Sequence, residues 1–117
     1  MATLSKLALQ PAGTTGDGLG ILVANTATAG TTIHTAHASA LDEVWLYAYN
    51  GHSADVVLTI EYGGATVPDQ NIITTVVSKA GLVLVVPGLL LTNSKVLKAF
   101  AATANVITLS GYINRIA

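Results

Sequence analysis

The chain has 117 residues, which is enough for one domain with a hydrophobic core that needs no disulfide or metal. It has no cysteine, which excludes a disulfide framework and a thiol nucleophile. Its net charge of −1 and its five Lys and Arg residues argue against a nucleic-acid partner.

Charged residues make up only 9% of the chain, against roughly 25% in typical soluble domains. Such a chain is expected either to enter a membrane or to have much of its exterior covered by protein. The longest apolar run, GLVLVVPGLLL (Gly81–Leu91), is interrupted by a proline and is shorter than the about 20 residues that span a bilayer. The N-terminal sequence MATLSKLALQPAG lacks a signal-peptide pattern. We therefore expect no membrane partner and a surface covered by protein.

Alternation of apolar and polar residues, with many β-branched side chains, predicts strands along the chain. The predicted strands are Lys6–Gln10, Ile21–Asn25, Thr32–Ala36, Glu43–Tyr49, Val56–Tyr62, Asn71–Val77, Leu82–Val86, Val96–Ala101 and Val106–Asn114. Turn residues recur about every 8 to 12 positions, which is typical of sandwiches and barrels. The fold prediction is an all-β, single-domain antiparallel β-sandwich of the jelly-roll type over residues 21–117.

Residues 1–20 are predicted to form a flexible N-terminal arm or loop, because Gln10–Gly20 is polar and rich in glycine. The first strand, Lys6–Gln10, is a candidate for pairing with a neighbouring subunit. Near the other end, Ser94–Ala104 contains good helix formers and a capping serine, so a helix competes with the strand there. The strand is favoured because the sequence NVITLSGYINRI follows at hairpin distance.

The sequence DEVWLYAYNGHSADVVLTIEYGG predicts a hairpin around Asn50-Gly51, with apolar residues on both faces of its first strand. On that strand, aliphatic residues alternate with Trp45, Tyr47 and Tyr49. We expect Val44, Leu46 and Ala48 to meet Val56, Leu58 and Ile60 in the core, although the reverse orientation is also compatible with the pattern. Either way one apolar stripe is left, and a loop or the second sheet, a protein interface or a sugar-binding role would explain it.

Sequence motifs for catalysis or metal binding are weak throughout. Five of the six acidic residues fall in or beside predicted turns, and Glu61 is expected to face outward, where it could pair with Arg115 or with a partner. His34 and His37 are three residues apart, which places them on opposite faces of a strand, and His52 lies in a turn. The Gly-rich segment Gly13–Gly20 lacks the Lys and the following helix of a phosphate-binding loop. We expect no enzyme activity, no metal site and no cofactor.

Four segments of the chain carry a family resemblance, and they are DEVWLYAYN, LTIEYGG, GLVLVVPGLLL and AFAATANVITLSGYINRI. They resemble small head decoration, or cement, proteins of tailed bacteriophages. The resemblance runs from about residue 32 to residue 116. It implies a β-sandwich that binds the outside of a capsid, commonly as a trimer, and stabilises the head without catalysis.

The resulting expectation is a structural virion protein, made in the host cytoplasm and located on the capsid exterior. Its expected partners are itself, as a homotrimer, and the major capsid protein. Trp45, Tyr47 and Tyr49 are the predicted contact residues, with Glu61 and Arg115 as polar partners across an interface. The alternatives are a carbohydrate-binding module with Trp45 as its stacking platform, and another virion component such as a tail or spike subunit.

Overall fold

The computed structural model describes residues 3–12 and 16–117, and its regular elements are nine β-strands. They are β1 (Leu4–Ala8), β2 (Ile21–Leu22), β3 (Thr31–Thr35), β4 (Leu41–Asn50), β5 (Val56–Tyr62), β6 (Asn71–Val76), β7 (Val83–Leu91), β8 (Val96–Ala101) and β9 (Ile107–Ile116). Each predicted strand corresponds to one of these, including Val96–Ala101, where a helix was the competing prediction. The all-β prediction is confirmed.

The strands form two antiparallel sheets with the strand order of a jelly roll. Sheet A has the order β1-β9-β4-β7, with β2 also beside β9, and sheet B has the order β3-β8-β5-β6. Strands β1 and β2 together form one edge of sheet A, and both pair with β9. In the rest of the chain, β3 pairs with β8, β4 with β7 and β5 with β6. The chain is thus a long antiparallel hairpin that is wrapped into two layers, which is the jelly-roll arrangement.

The core lies between the two sheets and is aliphatic. Its largest fully buried apolar side chains are Ile33, Leu46, Leu58, Ile60, Leu97, Ile107, Leu109 and Ile113. On β4, Val44, Leu46 and Ala48 are fully buried, so the aliphatic side of this strand faces inward as the first of the two orientations requires. The three aromatic residues of β4 therefore lie on the outer face of sheet A.

The predicted hairpin between β4 and β5 is wrong. Strand β4 pairs with β7 and β9 in sheet A, whereas β5 pairs with β6 and β8 in sheet B. Residues 51–55 therefore cross between layers, and the buried Asn50 side chain holds this crossing. Its amide donates to the carbonyl oxygens of Ala54 (3.0 Å) and Val76 (2.9 Å), and its oxygen accepts from the His52 N–H (2.8 Å). The Asn-Gly pair thus marks a layer change rather than a primed turn.

The other connection that was expected to be a hairpin also changes layer, since β8 belongs to sheet B and β9 to sheet A. Strand β7 extends beyond its predicted end, through Pro87 to Leu91. A proline is tolerated here because β7 is an edge strand of sheet A, and one side of its backbone has no partner among the described strands.

The first part of the chain is built into the sandwich of its own subunit. Leu4–Ala8 pairs with β9 over five positions, from Leu4 opposite Ile116 to Ala8 opposite Tyr112. Leu9 and Gln10 follow it into the interior and are 5% and 8% exposed. Residues 3–12 thus extend sheet A of the same chain, whereas the sequence had suggested an arm outside the sandwich.

Gly111 on β9 provides a test of the close approach between β9 and β4. A Cβ at this position would overlap the backbone carbonyl of Trp45 and lie 3.1 Å from the Cα of Leu46. Backbone atoms of a central strand have little room to move, so we expect Gly111→Ala to lower the free energy of unfolding by about 2–3 kcal/mol. Urea denaturation followed by circular dichroism measures this.

Gly51→Ala is the matched control, because its Cβ would meet only ordinary contacts at 3.5 and 3.7 Å. We expect its effect to stay within about 0.5 kcal/mol. Equal losses in the two variants would contradict the register of β9 against β4.

Candidate interaction face

The outer face of sheet A has a row of aromatic residues that the described part of the chain leaves partly uncovered. We call Trp45, Tyr47, Tyr49 and Tyr112 the aromatic face. The first three alternate along β4, and Tyr112 lies directly opposite Trp45 on β9. Tyr49 is 37% exposed, and the other three are half-buried. The expectation that these side chains point away from the aliphatic core agrees with the structure.

Residues of the neighbouring strands hold the ring of Trp45 in place. The indole stacks on the Tyr112 ring with 6.3 Å between centroids and 15° between planes. On the β7 side, Gly88 makes room for it, since a Cβ there would lie 2.8 Å from the indole Cζ2. The Lys6 ammonium lies 4.6 Å from the centre of the Tyr112 ring, a cation–π distance. The ring positions are therefore set before any partner binds.

The carboxylate of Glu43 places a polar, hydrogen-bonded group beside the aromatic face. Glu43 Oε1 accepts hydrogen bonds from the Trp45 indole N–H (2.6 Å) and from the Asn114 amide (3.0 Å). These two bonds, the Asn114 bond first, lower the pKa of Glu43 below its usual value. Glu43 is therefore ionised at neutral pH and holds the indole in place through a charge-assisted hydrogen bond.

Apolar residues of β7 extend the aromatic face toward the edge of sheet A. Leu84 lies opposite Tyr47 and is 43% exposed, and Leu90 lies opposite Glu43 and is 51% exposed. No charged residue occurs between Lys79 and Lys95. Edge strands commonly carry charged side chains that discourage pairing with other chains, and β7 has only Pro87 and irregular register for this. We call the exposed apolar residues of β7, which include Leu84 and Leu90, the apolar edge. The apolar edge is thus continuous with the aromatic face.

Among the described residues that precede β2, Gly20 lies against Thr108 and Ser110 of β9, beside this face. In the described residues the aromatic rings remain partly open to solvent. Three explanations were given for the second apolar stripe. The described residues do not provide the first of them, which is coverage by the chain's own loop or by the second sheet.

A second cluster of polar residues is buried where β3, β4 and β9 meet. Asp42 is fully buried and accepts two hydrogen bonds from Arg115, from Nε at 2.7 Å and from Nη2 at 2.9 Å. Its Oδ2 also lies 2.8 Å from His34 Nε2. Because the Gln10 N–H donates to His34 Nδ1 at 3.0 Å, the imidazole proton is on Nε2 and points to Asp42. We call Gln10, His34, Asp42 and Arg115 the buried polar cluster.

The electrostatics of this cluster favour a neutral histidine and an ionised aspartate. Burial lowers the pKa of His34 and outweighs the opposing hydrogen bond to Asp42. Burial alone would raise the pKa of Asp42, but hydrogen bonds from Arg115 and His34 hold it below its usual value. Both shifts have the same consequence for the fold. The stability that each group contributes is fully present above its unfolded pKa, which is 6.5 for His34 and 3.8 for Asp42. This contribution is lost as the pH falls from the unfolded pKa through the lower pKa of the folded state.

The structure corrects the predicted pairing of Glu61 with Arg115. Arg115 bonds to Asp42 and Gln10 in sheet A, whereas Glu61 lies on the outer face of sheet B. Glu61 is also only 2% exposed instead of open to a partner, because residues 25–30 fold over it. Its carboxylate accepts from the Thr28 hydroxyl (2.9 Å) and the Gly30 N–H (2.7 Å). It lines a cleft of about 290 Å³ that also contains Lys95 and Lys98.

His34 and His37 do not form a metal site in the described residues. His34 uses both ring nitrogens inside the buried polar cluster, and His37 Nδ1 accepts from the N–H groups of Ser39 (3.0 Å) and Ala40 (2.9 Å). Residues 3–12 and 16–117 contain no group of three or more His, Cys, Asp or Glu side chains placed to hold an ion. The same residues include no helix of the length and hydropathy that a membrane span requires.

Sequence reasoning missed Tyr112 as a member of the aromatic face and missed Glu43 and Asn114 as the polar residues beside it. Alternation along β9 places Tyr112 and Asn114 on one side of that strand, but only the pairing of β9 with β4 brings them beside Trp45 and Glu43. Comparison of the chain with protein-family models, with curated proteins and with solved structures found no match.

Arg115 tests whether the buried polar cluster stabilises the fold. Removing the guanidinium leaves the buried Asp42 carboxylate without its main partner, so we expect Arg115→Gln to lower the free energy of unfolding by about 2–3 kcal/mol at pH 7.5. Lys95→Gln is the control, because Lys95 is exposed and its side chain makes no ion pair within the described ranges. Equal urea midpoints for the two variants would show that the cluster does not contribute.

Proposed function

We propose that this chain is a structural virion protein that decorates the outside of a tailed-phage head and stabilises the capsid. The observation that carries the proposal is the partly exposed aromatic face on the central strands β4 and β9 of sheet A. Interface cores are enriched in Trp and Tyr and depleted in charge, and the one Trp and three Tyr residues of this face agree with that composition. The resemblance to phage head decoration proteins supplies the partner, the major capsid protein, and the location, the capsid exterior after synthesis in the host cytoplasm.

The second support is the low charge of the entire chain. With 9% charged residues, the surface has little electrostatic repulsion to prevent association, and the apolar edge at β7 adds to this. A homotrimer, the state favoured by the resemblance, would let three copies contact the shell at once. Multivalent attachment raises the overall affinity by orders of magnitude without any new kind of contact. This is how a small protein with weak individual contacts would remain on a capsid under internal pressure.

The mechanism needs no chemistry beyond burial of preformed surface. Because Trp45 is already held by Tyr112, Gly88 and Glu43, little side-chain entropy is lost when a partner covers it. Apolar area then contributes roughly 25 cal/mol per Å² before the costs of association are subtracted. Glu43 and Lys6 are the charged groups at the face, so attachment should depend only weakly on salt.

Binding to expanded, empty phage heads tests the proposal directly. We expect co-sedimentation with the heads to deplete the protein from solution, and sedimentation velocity of the free protein at micromolar concentration to show a trimer or a larger assembly. Raising NaCl from about 0.1 to about 1 M should change the bound fraction by less than about threefold, since screening acts on charged contacts and not on apolar ones. A stable monomer that stays in the supernatant would contradict the proposal.

Trp45→Ala tests whether the aromatic face is the surface that binds. Trp45 lies outside the core, so we expect the variant to fold with a stability loss of about 1–2 kcal/mol from the lost stacking and to lose most of its association or its head binding. Phe100→Ala is the matched control, since Phe100 is a half-buried aromatic opposite Thr59 on the outer face of sheet B. Loss of binding in Phe100→Ala alone would move the interface to sheet B. Unfolding of Trp45→Ala would assign Trp45 to the core.

A carbohydrate-binding module is the second candidate, favoured by Glu43 and Asn114 beside Trp45. Polar groups next to an aromatic ring are the arrangement by which proteins orient a sugar. The protein interface is preferred because Lys6 and Trp45 both occupy the surroundings of the Tyr112 ring, which leaves less flat aromatic surface for stacking. Saturable binding to a glycan array, lost in Trp45→Ala and without head binding, would favour the sugar over the capsid. Head binding is also the result that separates the decoration protein from a tail or spike subunit.

A further inference from the structure

The segment that follows β1 is tied to the rest of the sandwich through one histidine nitrogen. The Gln10 N–H donates to His34 Nδ1 at 3.0 Å, and the Gln10 carbonyl accepts from the Thr35 N–H at 2.9 Å. The Thr35 hydroxyl donates to the carbonyl oxygen of Pro11 at 3.0 Å, and the Gln10 side-chain oxygen accepts from Arg115 at 3.2 Å. Three strands therefore meet at Gln10, and β1 is fixed at this end.

The bond from Gln10 to His34 exists only while the imidazole is neutral. A protonated imidazole carries hydrogen on both nitrogens, so Nδ1 loses its lone pair and faces the Gln10 N–H as a second donor. The position is fully buried, so neither group can turn to water without local opening. Protonation of His34 thus breaks this contact and replaces it by a repulsive one.

The charged neighbours of His34 do not remove this conflict. From β4, the Asp42 carboxylate attracts an imidazolium, but it already accepts two hydrogen bonds from the guanidinium of Arg115 on β9, whose positive charge opposes a second cation. The other titratable groups at Asp42 are His37, whose N–H lies 3.3 Å from Oδ2, and Tyr62 of β5. Burial and then the Asp42 charge raise the pKa of Tyr62, so it stays neutral in acid.

Strand β1 is an edge element that can leave without breaking the central pairing of sheet A. It is five residues long and lies at the edge of sheet A, and Leu4, Ser5 and Lys6 are exposed. If residues 3–12 leave, Leu9 leaves the core with them, but β9 keeps its ten-residue pairing with β4 and the two sheets still enclose the other core residues. Edge elements with few buried contacts are the units that open independently in native proteins.

We propose that His34 is an acid-sensitive clasp, whose protonation releases residues 3–12, including β1, from the edge of β9 while the remaining sandwich stays folded. Release exposes the backbone of β9 from Tyr112 to Ile116 and removes Lys6 from the Tyr112 ring, which changes the margin of the aromatic face. The proposal concerns the isolated chain and does not depend on a capsid partner.

Hydrogen exchange of the full chain at pH 7.5 and pH 5.0, corrected for intrinsic exchange rates, tests the clasp. Because each pH unit below the unfolded histidine pKa of 6.5 changes the opening equilibrium by up to tenfold, we expect protection of residues 4–10 to fall by up to about 30-fold at pH 5.0. Peptides from β5 and β8 should remain protected over the same exchange time. If β1 and β5 peptides exchange together at both pH values, opening is global and the proposal is wrong.

His34→Gln is the key variant, since glutamine keeps one acceptor and one donor but does not titrate in this range. We expect protection of β1 to become independent of pH in His34→Gln, while His52→Gln, a change at a half-buried histidine in the crossing loop, keeps the wild-type response. An unchanged pH response in folded His34→Gln would overturn the assignment to His34. Should that variant not fold, an NMR titration of wild-type His34 decides the matter, because protonation of His34 without faster exchange in β1 would also overturn the clasp.

Discussion

A two-layer β-sandwich can bury one face of each sheet, and strand β4 is apolar on both of its faces. The inner face of β4 contributes Val44, Leu46 and Ala48 to the core, and the alternation of side chains along a strand directs the aromatic residues to the other side. The outer face therefore places Trp45, Tyr47 and Tyr49 where only a loop or another molecule can cover them. In the described residues no loop buries these rings, so the composition of one central strand is the reason to look for a partner.

The polar interior has a different role from the aromatic face. Asp42 is fully buried, and its bonds to Arg115 and His34 connect both sheets with the segment after β1. A buried charge is tolerated only when partners satisfy it, which makes the cluster a condition for the observed path of residues 3–12. Because His34 has to stay neutral there, the same contacts that order the N-terminal segment also make its attachment dependent on pH.

Local pattern was sufficient to predict the strands and to separate the two faces of β4, but the structure was needed to show which face turns inward. Period-two alternation is a property of single strands, so Val44 and Trp45 could be assigned to opposite faces without knowledge of the neighbours.

The pairing of the strands was not predictable in the same way. Asn50-Gly51 has the residues of a hairpin turn, yet the Asn50 side chain holds a crossing between layers, because β4 finds its partners β7 and β9 far along the chain. Tyr112 and the partner of Arg115 were missed for the same reason, since both depend on the register of β9. Glu61 was placed on the correct side of its strand, but the fold of residues 25–30 over it is a tertiary feature.

Trp45 is the only tryptophan in the chain, so its fluorescence reports on the aromatic face alone. Acrylamide quenching measured from nanomolar to high micromolar protein, and again with empty heads, tests most directly whether this face is covered by other molecules. The account predicts that Trp45 is accessible to acrylamide when the protein is dilute and becomes shielded on self-association or on head binding. Quenching that is unchanged by concentration and by heads would contradict it.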